Sequence, residues 1–466
     1  MKFYNTKTRQ IDEFTPIAEK HVALYTCGPT VYNYLHVGNW VAYIRWDILV
    51  RTLTASGYDV ARVMNITDVG HLVSDADDGE DKMEKGAKRE GKTAWEVAQM
   101  YADDFLSGMQ KLNLIEPTYI TKATDYIPQQ IALVKRLEDK GFTYVIDDGV
   151  YFDTSKFPTY ADFAHLDLAD QEAGARVEFN PQKRNGSDFA LWKFSPKGEK
   201  RDMEWESPWG VGFPGWHLEC SAMAMDKLGE TIDIHTGGID HIPVHHTNEI
   251  AQSEAATGKT FSNYWLHNNF LLVDGTKVSK SIGNTFTLQD LAEKGFAPED
   301  FRMFVLQSHY RTESNFTFDN LQAAKNRLQG LRNVAELQYQ ATESAPRIDF
   351  ESEKELVLKA LQNDFDTPKA LVHLSMLAST VNDNLINTAD VMAFADYIRF
   401  IDDVLGLSLG SVTDITAAQK ELLQARASAR EANDWTKSDK IRDELKSQGL
   451  EVRDASTGQI WSRISE

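Results

Sequence analysis

The chain has 466 residues, a formal net charge of −21, 42% hydrophobic and 26% charged residues, and only two cysteines. That length exceeds the roughly 250 to 300 residues at which a single core stops growing, so at least two domains are expected, and the composition excludes a disordered or fibrous chain. The acidic balance argues against indiscriminate nucleic-acid binding but leaves room for a local basic patch; no apolar run nears the roughly 20 residues of a membrane span, and MKFYNTKTRQIDEF lacks the basic-then-apolar pattern of a signal peptide, which points to the cytoplasm.

Residues 22–27, VALYTC, read as a short buried strand. The glycine loop after it leads into a helix in which Trp40, Ile44, Ile48, Leu49 and Leu53 keep helical spacing; Gly57 closes it, and YDVARVMNIT opens the next strand. Such a β-loop-α-β unit sets the loop at the carboxyl end of a parallel strand, where open α/β sheets bind ligands. From about 119 to 214 the texture changes. A helix with Ile127, Ile131, Val134 and Leu137 ends at Gly141, and YVIDDGVYF predicts a hairpin with an Asp-Gly turn. The α/β texture resumes with the helix WHLECSAMAMDKL, the strand TIDI, a glycine pair and a helix from about 245. Residues 1–118 and 215–285 are therefore expected to form one Rossmann-like, parallel-sheet catalytic domain split by a connective insertion at 119–214, with 286–315 as a linking region. Helical spacing dominates 316–405, predicting a bundle, and 412–466 forms a small C-terminal region.

His245 and Glu249, four apart in VHHTNEIAQ, share one helix face, and with Cys27 and Cys220 they supply the thiolate, imidazole and carboxylate donors that tetrahedral zinc takes. By spacing alone, two cysteines buried as small hydrophobes explain the pattern equally well, and His246, three before Glu249, competes with His245. His235, His241 and His267 have no comparable partner pattern and read as structural. In HVGN, residues 36–39, His36 begins a helix whose free N–H groups and dipole favour anions, and Gly38 admits a ligand close to the backbone. KVSKS, residues 277–281, lies between Gly275 and Gly283 and puts two lysines on a loop able to close over a polyphosphate, or simply to form a solvated turn.

Taken in order, TCGPTVYNYLHVGN, NITDVG, FPGWHLECSAM, DIHTGG, HHTNEIAQ and KVSKS resemble the class I aminoacyl-tRNA synthetases, whose signatures are written HIGH and KMSKS, and within them the cysteinyl-tRNA synthetases. ARASAREANDWTKSDKIRDELKSQGLEV is similar to that family's C-terminal region, so the resemblance spans nearly the whole chain. It implies one zinc ion held by Cys27, Cys220, His245 and Glu249, to which the thiolate of substrate cysteine is added so that serine is rejected at the binding step. A site of that kind needs no editing domain, and the insertion is short for one.

The resemblance further implies that L-cysteine attacks the α-phosphorus of ATP, giving cysteinyl-adenylate and pyrophosphate, and that the terminal ribose of tRNA(Cys) then takes the cysteinyl group. His36 and Lys280 would stabilise phosphate charge with Lys277 assisting, and magnesium would accompany the ATP. Gly237, Gly238 and Asp240 would line the adenosine pocket, Gly38 and Asn39 would lie by the phosphates, and Gly28, Thr67 and Trp216 would hold the amino acid. Asn39 stands where the signature has its second histidine, keeping an N–H donor but no charge, and Val278 replaces the methionine. The helices from 315 onward and the tail resemble the parts that read the anticodon stem and loop. Arg302, Arg311, Lys325, Arg327 and Arg332 form a locally basic stretch, Arg426 and Arg430 share a helix face, and Trp461 packs or stacks on a base. A monomer is implied. Two rivals differ in class: a cysteine ligase of the mycothiol pathway would lack the anticodon-binding end, and a tRNA- or zinc-binding paralogue without activity would have lost some of His36, Lys280, Cys27 or Cys220.

Overall fold

The structure, a computed structural model, describes residues 1–70, 82–166, 180–196, 198, 201–278, 283–455 and 458–464. The chain divides into two compact units, residues 1–291 with 310–315 and residues 292–309 with 316–466.

The first unit is built on five parallel strands: β1 (His21–Thr26), β2 (Asp59–Ile66), β3 (Tyr119–Lys122), β4 (Ile232–Gly238) and β5 (Ser262–Asn268). Their order in the sheet is β5-β4-β1-β2-β3. The direction of winding reverses between β1 and β4, and the crevice beyond the carboxyl ends at such a reversal is where open α/β sheets take ligands. Val22, Leu24 and Tyr25 of β1 are all buried, the near-continuous apolar run of a strand covered on both faces. The sheet continues past residue 118, where its first half was expected to end, because β3 pairs with β2 from Val63↔Tyr119 to Ile66↔Lys122. A four-residue strand reading YITK carries too little pattern to announce itself.

Helix α1 (Val37–Ala55) buries Trp40, Ile44, Ile48, Leu49 and Leu53, the five residues its spacing singles out. The Trp40 indole stacks on Phe105 with centroids 5.5 Å apart. Gly108 makes room for it, since a Cβ there would lie 2.4 Å from Trp40 Cζ2. The insertion carries a four-stranded antiparallel sheet of Thr143–Ile146, Gly149–Phe152, Phe189–Phe194 and Gly212–Pro214. Its hairpin turns at Asp147–Asp148 rather than at the expected Asp-Gly pair, because Ile146 pairs with Gly149. Gly149 is needed for close approach instead: a Cβ would sit 2.4 Å from the Trp192 carbonyl oxygen.

The second unit is helical: Phe318–Ala335, Phe350–Leu361, Thr367–Asn384 and Val391–Leu405 fall in the stretch expected as a bundle, and Pro298–Leu306 falls in the stretch expected as a linking region. Helices Ala417–Glu431 and Trp435–Ser447 and the hairpin Leu450–Ala455/Gly458–Arg463 follow. Trp461 pairs with Val452 and is buried among Ile441, Leu445 and Leu450, so it packs and does not stack on a base. Two arginines of the basic positions noted in the sequence are internal. Arg302 is 0% exposed and donates to the Leu405 carbonyl, and Arg426, 2% exposed, donates to Asp454 and Gln459. Among the described residues, no helix is long and apolar enough to cross a membrane.

Candidate active site and metal centre

A cavity of about 450 Å³ opens at the carboxyl ends of β1 and β4 beside the start of α1. Its lining includes Cys27, Gly28, His36, Gly38, Asn39, Thr67, Trp216, Cys220, Gly237, Gly238, Asp240, His245 and Lys277, gathered from positions far apart in the chain. Of the other residues singled out from sequence, Glu249 is fully buried and does not line the cavity, and Lys280 lies outside the described residues.

Cys27 follows β1, and Cys220 lies on α2 (Trp216–Leu228). His245 belongs to a π-helical turn, Ile242–His246, that precedes α3 (Thr247–Thr257), which carries Glu249. Such widened turns recur at functional sites. The donor atoms of Cys27, Cys220, His245 and Glu249 lie within 4.8 Å of one another, as a shared ion requires. His245 Nε2 is 2.9 Å from Glu249 Oε1, yet that buried oxygen accepts no hydrogen bond among the described residues. This nitrogen and carboxylate oxygen, side by side next to two thiols, fit ligands aimed at one cation. His217 Nδ1, 2.9 Å from His245 Nδ1, turns the opposite ring nitrogen into the cluster, and His235 Nε2 holds Glu249 Oε2 at 2.9 Å.

Cys27, His235, His246 and Glu249 also bring their donors within 4.8 Å. In that set His235 Nε2 is already engaged by Glu249. His246 sits in a hydrogen-bonded row: its Nδ1 is 2.7 Å from His267 Nε2, whose Nδ1 is 2.7 Å from Thr6 Oγ1, and its Nε2 is 3.5 Å from Cys27 Sγ. The set with two sulfurs is the softer and suits zinc better. Gly237 permits this packing, since a Cβ there would lie 2.5 Å from His246 Cε1.

The charges of the cluster are strongly coupled. Burial pulls the His245 imidazole down, but Glu249 and Cys220 outweigh it and push it up to about 10. Burial raises Glu249, yet His235 and His245 prevail and hold it at about 2. The hydrogen bond with Cys27, then burial and the Glu249 charge, drive the Cys220 thiol well above its ordinary value. Burial, then the charge of His245, pulls His241 down to about 4, and burial first, then neighbouring imidazoles, keeps His246 and His267 well below the usual histidine range. With protons alone the pocket holds thiols and an imidazolium; a divalent cation held by Cys27, Cys220, His245 and Glu249 would release those protons.

At the other end of the cavity, His36 is the residue before α1 and Asn39 Oδ1 accepts its backbone N–H at 3.1 Å. The asparagine in place of the signature histidine thus caps the helix. A Cβ on Gly38 would fall 3.0 Å from the His36 ring and 3.3 Å from Val278 Cγ2, so this glycine lets the second signature loop lie against the first. Val37 N–H donates to the Phe286 carbonyl at 2.7 Å, tying the return of that loop to the same helix start. Lys277, at the end of the hairpin Leu271–Val273/Thr276–Lys277, has its Nζ 5.0 Å from the Phe270 ring centre.

The end of the cavity beside Cys27 and Cys220 contains residues the sequence reading missed, Asn65 and, behind it, Glu219. Gly28 N–H donates to Asn65 Oδ1 at 2.8 Å, and a Cβ on Gly28 would collide with the Asn65 carbonyl. Thr67 donates to Glu219, which neighbours Cys220 on α2. The alternation of Asn65 and Thr67 at the end of β2 was the available signal, since residues two apart share a face.

Residues 13–326 match the family described as tRNA synthetases class I (C) catalytic domain, residues 357–410 the DALR domain, and residues 412–461 the cysteinyl-tRNA ligase anticodon binding domain. The cysteine–tRNA ligase of Treponema denticola is 41% identical to this chain, with 100% of each covered. Cysteine–tRNA ligase 1 of Burkholderia lata is 45% identical over 98% of this chain and 96% of that protein. Among solved structures, Mycobacterium tuberculosis methionyl-tRNA synthetase in complex with methionyl-adenylate matches with a TM-score of 0.60 at 14% identity, covering 84% of this chain and 92% of that one, a likeness of fold.

Proposed function

The chain belongs to the cysteine–tRNA ligases of class I, and on that premise we propose that Cys27, Cys220, His245 and Glu249 hold a zinc ion through which substrate cysteine is selected. The observation that carries this reading is convergence: two thiols remote in sequence meet an imidazole and a buried carboxylate, and the thiols and the imidazole line the cavity onto which α1 opens. Bound there, zinc supplies a soft acid that takes a thiolate and leaves the harder, far less ionised hydroxyl of serine without a bond.

The residues of the chain then bind and orient. Gly28, Thr67 and Trp216 enclose the amino-acid end, while Gly237, Gly238 and Asp240 face the adenosine. The triphosphate lies at the start of α1, where the helix dipole favours anions and Gly38 admits a ligand close to the backbone. The cysteine carboxylate attacks the α-phosphorus, and the bond to pyrophosphate breaks. His36, Lys277 and Lys280 set hydrogen-bond donors and lysine charge against the negative charge that grows on the departing oxygens, with magnesium on the ATP. The terminal ribose hydroxyl of tRNA(Cys) next attacks the acyl carbon and AMP leaves. No covalent enzyme intermediate is required, so positioning and electrostatics account for the acceleration. A monomer in the cytoplasm, with the second unit holding the anticodon arm, completes the reading.

Purified protein is expected to exchange pyrophosphate into ATP only when cysteine is present, and then to charge tRNA(Cys). Exchange without charging would assign a ligase with a different acceptor. Absence of both would leave a binding protein.

A further inference from the structure

Behind the amino-acid end of the cavity three hydrogen bonds run in one direction. Gly28 N–H donates to Asn65 Oδ1 at 2.8 Å, Asn65 Nδ2 donates to Thr67 Oγ1 at 3.0 Å, and Thr67 Oγ1 donates to Glu219 Oε2 at 2.9 Å. Both ends fix that direction. A backbone N–H only donates, so the Asn65 amide must turn its oxygen to Gly28 and its NH₂ to Thr67; a carboxylate only accepts, so the hydroxyl proton of Thr67 goes to Glu219. The row is sealed from water: Glu219 is 0% exposed and Asn65 and Thr67 are each 2% exposed. Gly28, Asn65 and Thr67 nevertheless line the cavity together with Cys27, Cys220 and Trp216.

A threonine hydroxyl has one proton and two lone pairs. Here the proton and one lone pair are engaged, which leaves a single acceptor with a buried carboxylate oxygen behind it. The complementary ligand group is a cationic donor, and an amino acid carries one in its α-ammonium. We propose that Glu219 is a positioning residue that sets Thr67 as an acceptor for the substrate α-ammonium, so that the site reads the amino group as well as the thiol. This rests on the cavity being the cysteine site.

Glu219→Gln keeps the shape of the side chain but supplies an amide that can donate to Thr67, turning the threonine proton toward the cavity, where it opposes an ammonium. The KM for cysteine in pyrophosphate exchange is expected to rise about tenfold or more, the scale of a lost hydrogen bond to a charged group. The inhibition constant of 3-mercaptopropionate, which has the thiol and carboxylate but no amine, should move less than about twofold, as should the KM for ATP, and zinc content should be unchanged, since none of these senses the ammonium contact. Thr67→Val should reproduce the selective loss, and the double variant should be no worse than the worse single one, because Glu219 acts through Thr67. Equal weakening of cysteine and 3-mercaptopropionate, loss of zinc, or an unchanged KM for cysteine would overturn the assignment. If Glu219→Gln does not fold, Thr67→Val decides: an unselective loss there overturns it as well. Failure of the unsubstituted protein to show cysteine-dependent exchange would instead count against the functional reading on which this one stands.

Discussion

Replacing Cys220 by serine is expected to strip the metal and to raise the KM for cysteine by about 10²- to 10³-fold, leaving the KM for ATP within about twofold. The size follows from the binding free energy of zinc in four-ligand sites, about 10–16 kcal/mol, of which one ligand carries roughly a quarter, and from 1.4 kcal/mol per tenfold. The selectivity follows from geometry. Cys220 lies in the cluster proposed to hold the metal, whereas His36 and Gly38 are at the start of α1. Metal content and the two KM values measured on one preparation check this. Equal loss of cysteine and ATP binding would mean that the metal holds the fold and does not touch the substrate.

The second large effect falls at the other end. His36→Ala is expected to lower the rate of pyrophosphate exchange about 10²- to 10³-fold, the scale of removing one donor from developing negative charge. The KM for cysteine should barely change. The substitution tests chemistry and not folding, because the helix start is held independently: Asn39 caps the His36 backbone N–H and Val37 N–H is tied to Phe286, and both bonds use groups that alanine at 36 retains. Exchange kinetics under saturating cysteine and ATP provide the readout, with a thermal melt as control. A raised KM for cysteine with an intact maximal rate would move His36 from the phosphates to the amino acid.

These contrasts also explain what the chain disclosed in advance. The β1-loop-α1 unit was legible because VALYTC is apolar throughout and five residues of the helix keep helical spacing, both local patterns. β3 was not, being four residues of mixed polarity whose place depends on β2. Gly149 misled because its reason, the Trp192 carbonyl, lies on another strand of the insertion. In the metal cluster, spacing offered His245 and His246 on equal terms, and the family resemblance chose His245. Only the fold supplies the physical difference, which is that His217 orients one ring while His267 and Thr6 engage the other. Glu219 escaped notice for the same reason. Thr67 and Glu219 are 152 positions apart, and nothing local marks a carboxylate whose work is to fix the proton of a distant hydroxyl.

Zinc-edge X-ray absorption on the purified protein, recorded alone, with cysteine and with serine, tests the metal's part in substrate choice most directly. The chain itself offers only two sulfurs of the kind that zinc takes, Cys27 and Cys220. The account predicts a shell of two sulfurs at about 2.3 Å that becomes three when cysteine is added and stays at two with serine. A shell that remains at two sulfurs in saturating cysteine would contradict it.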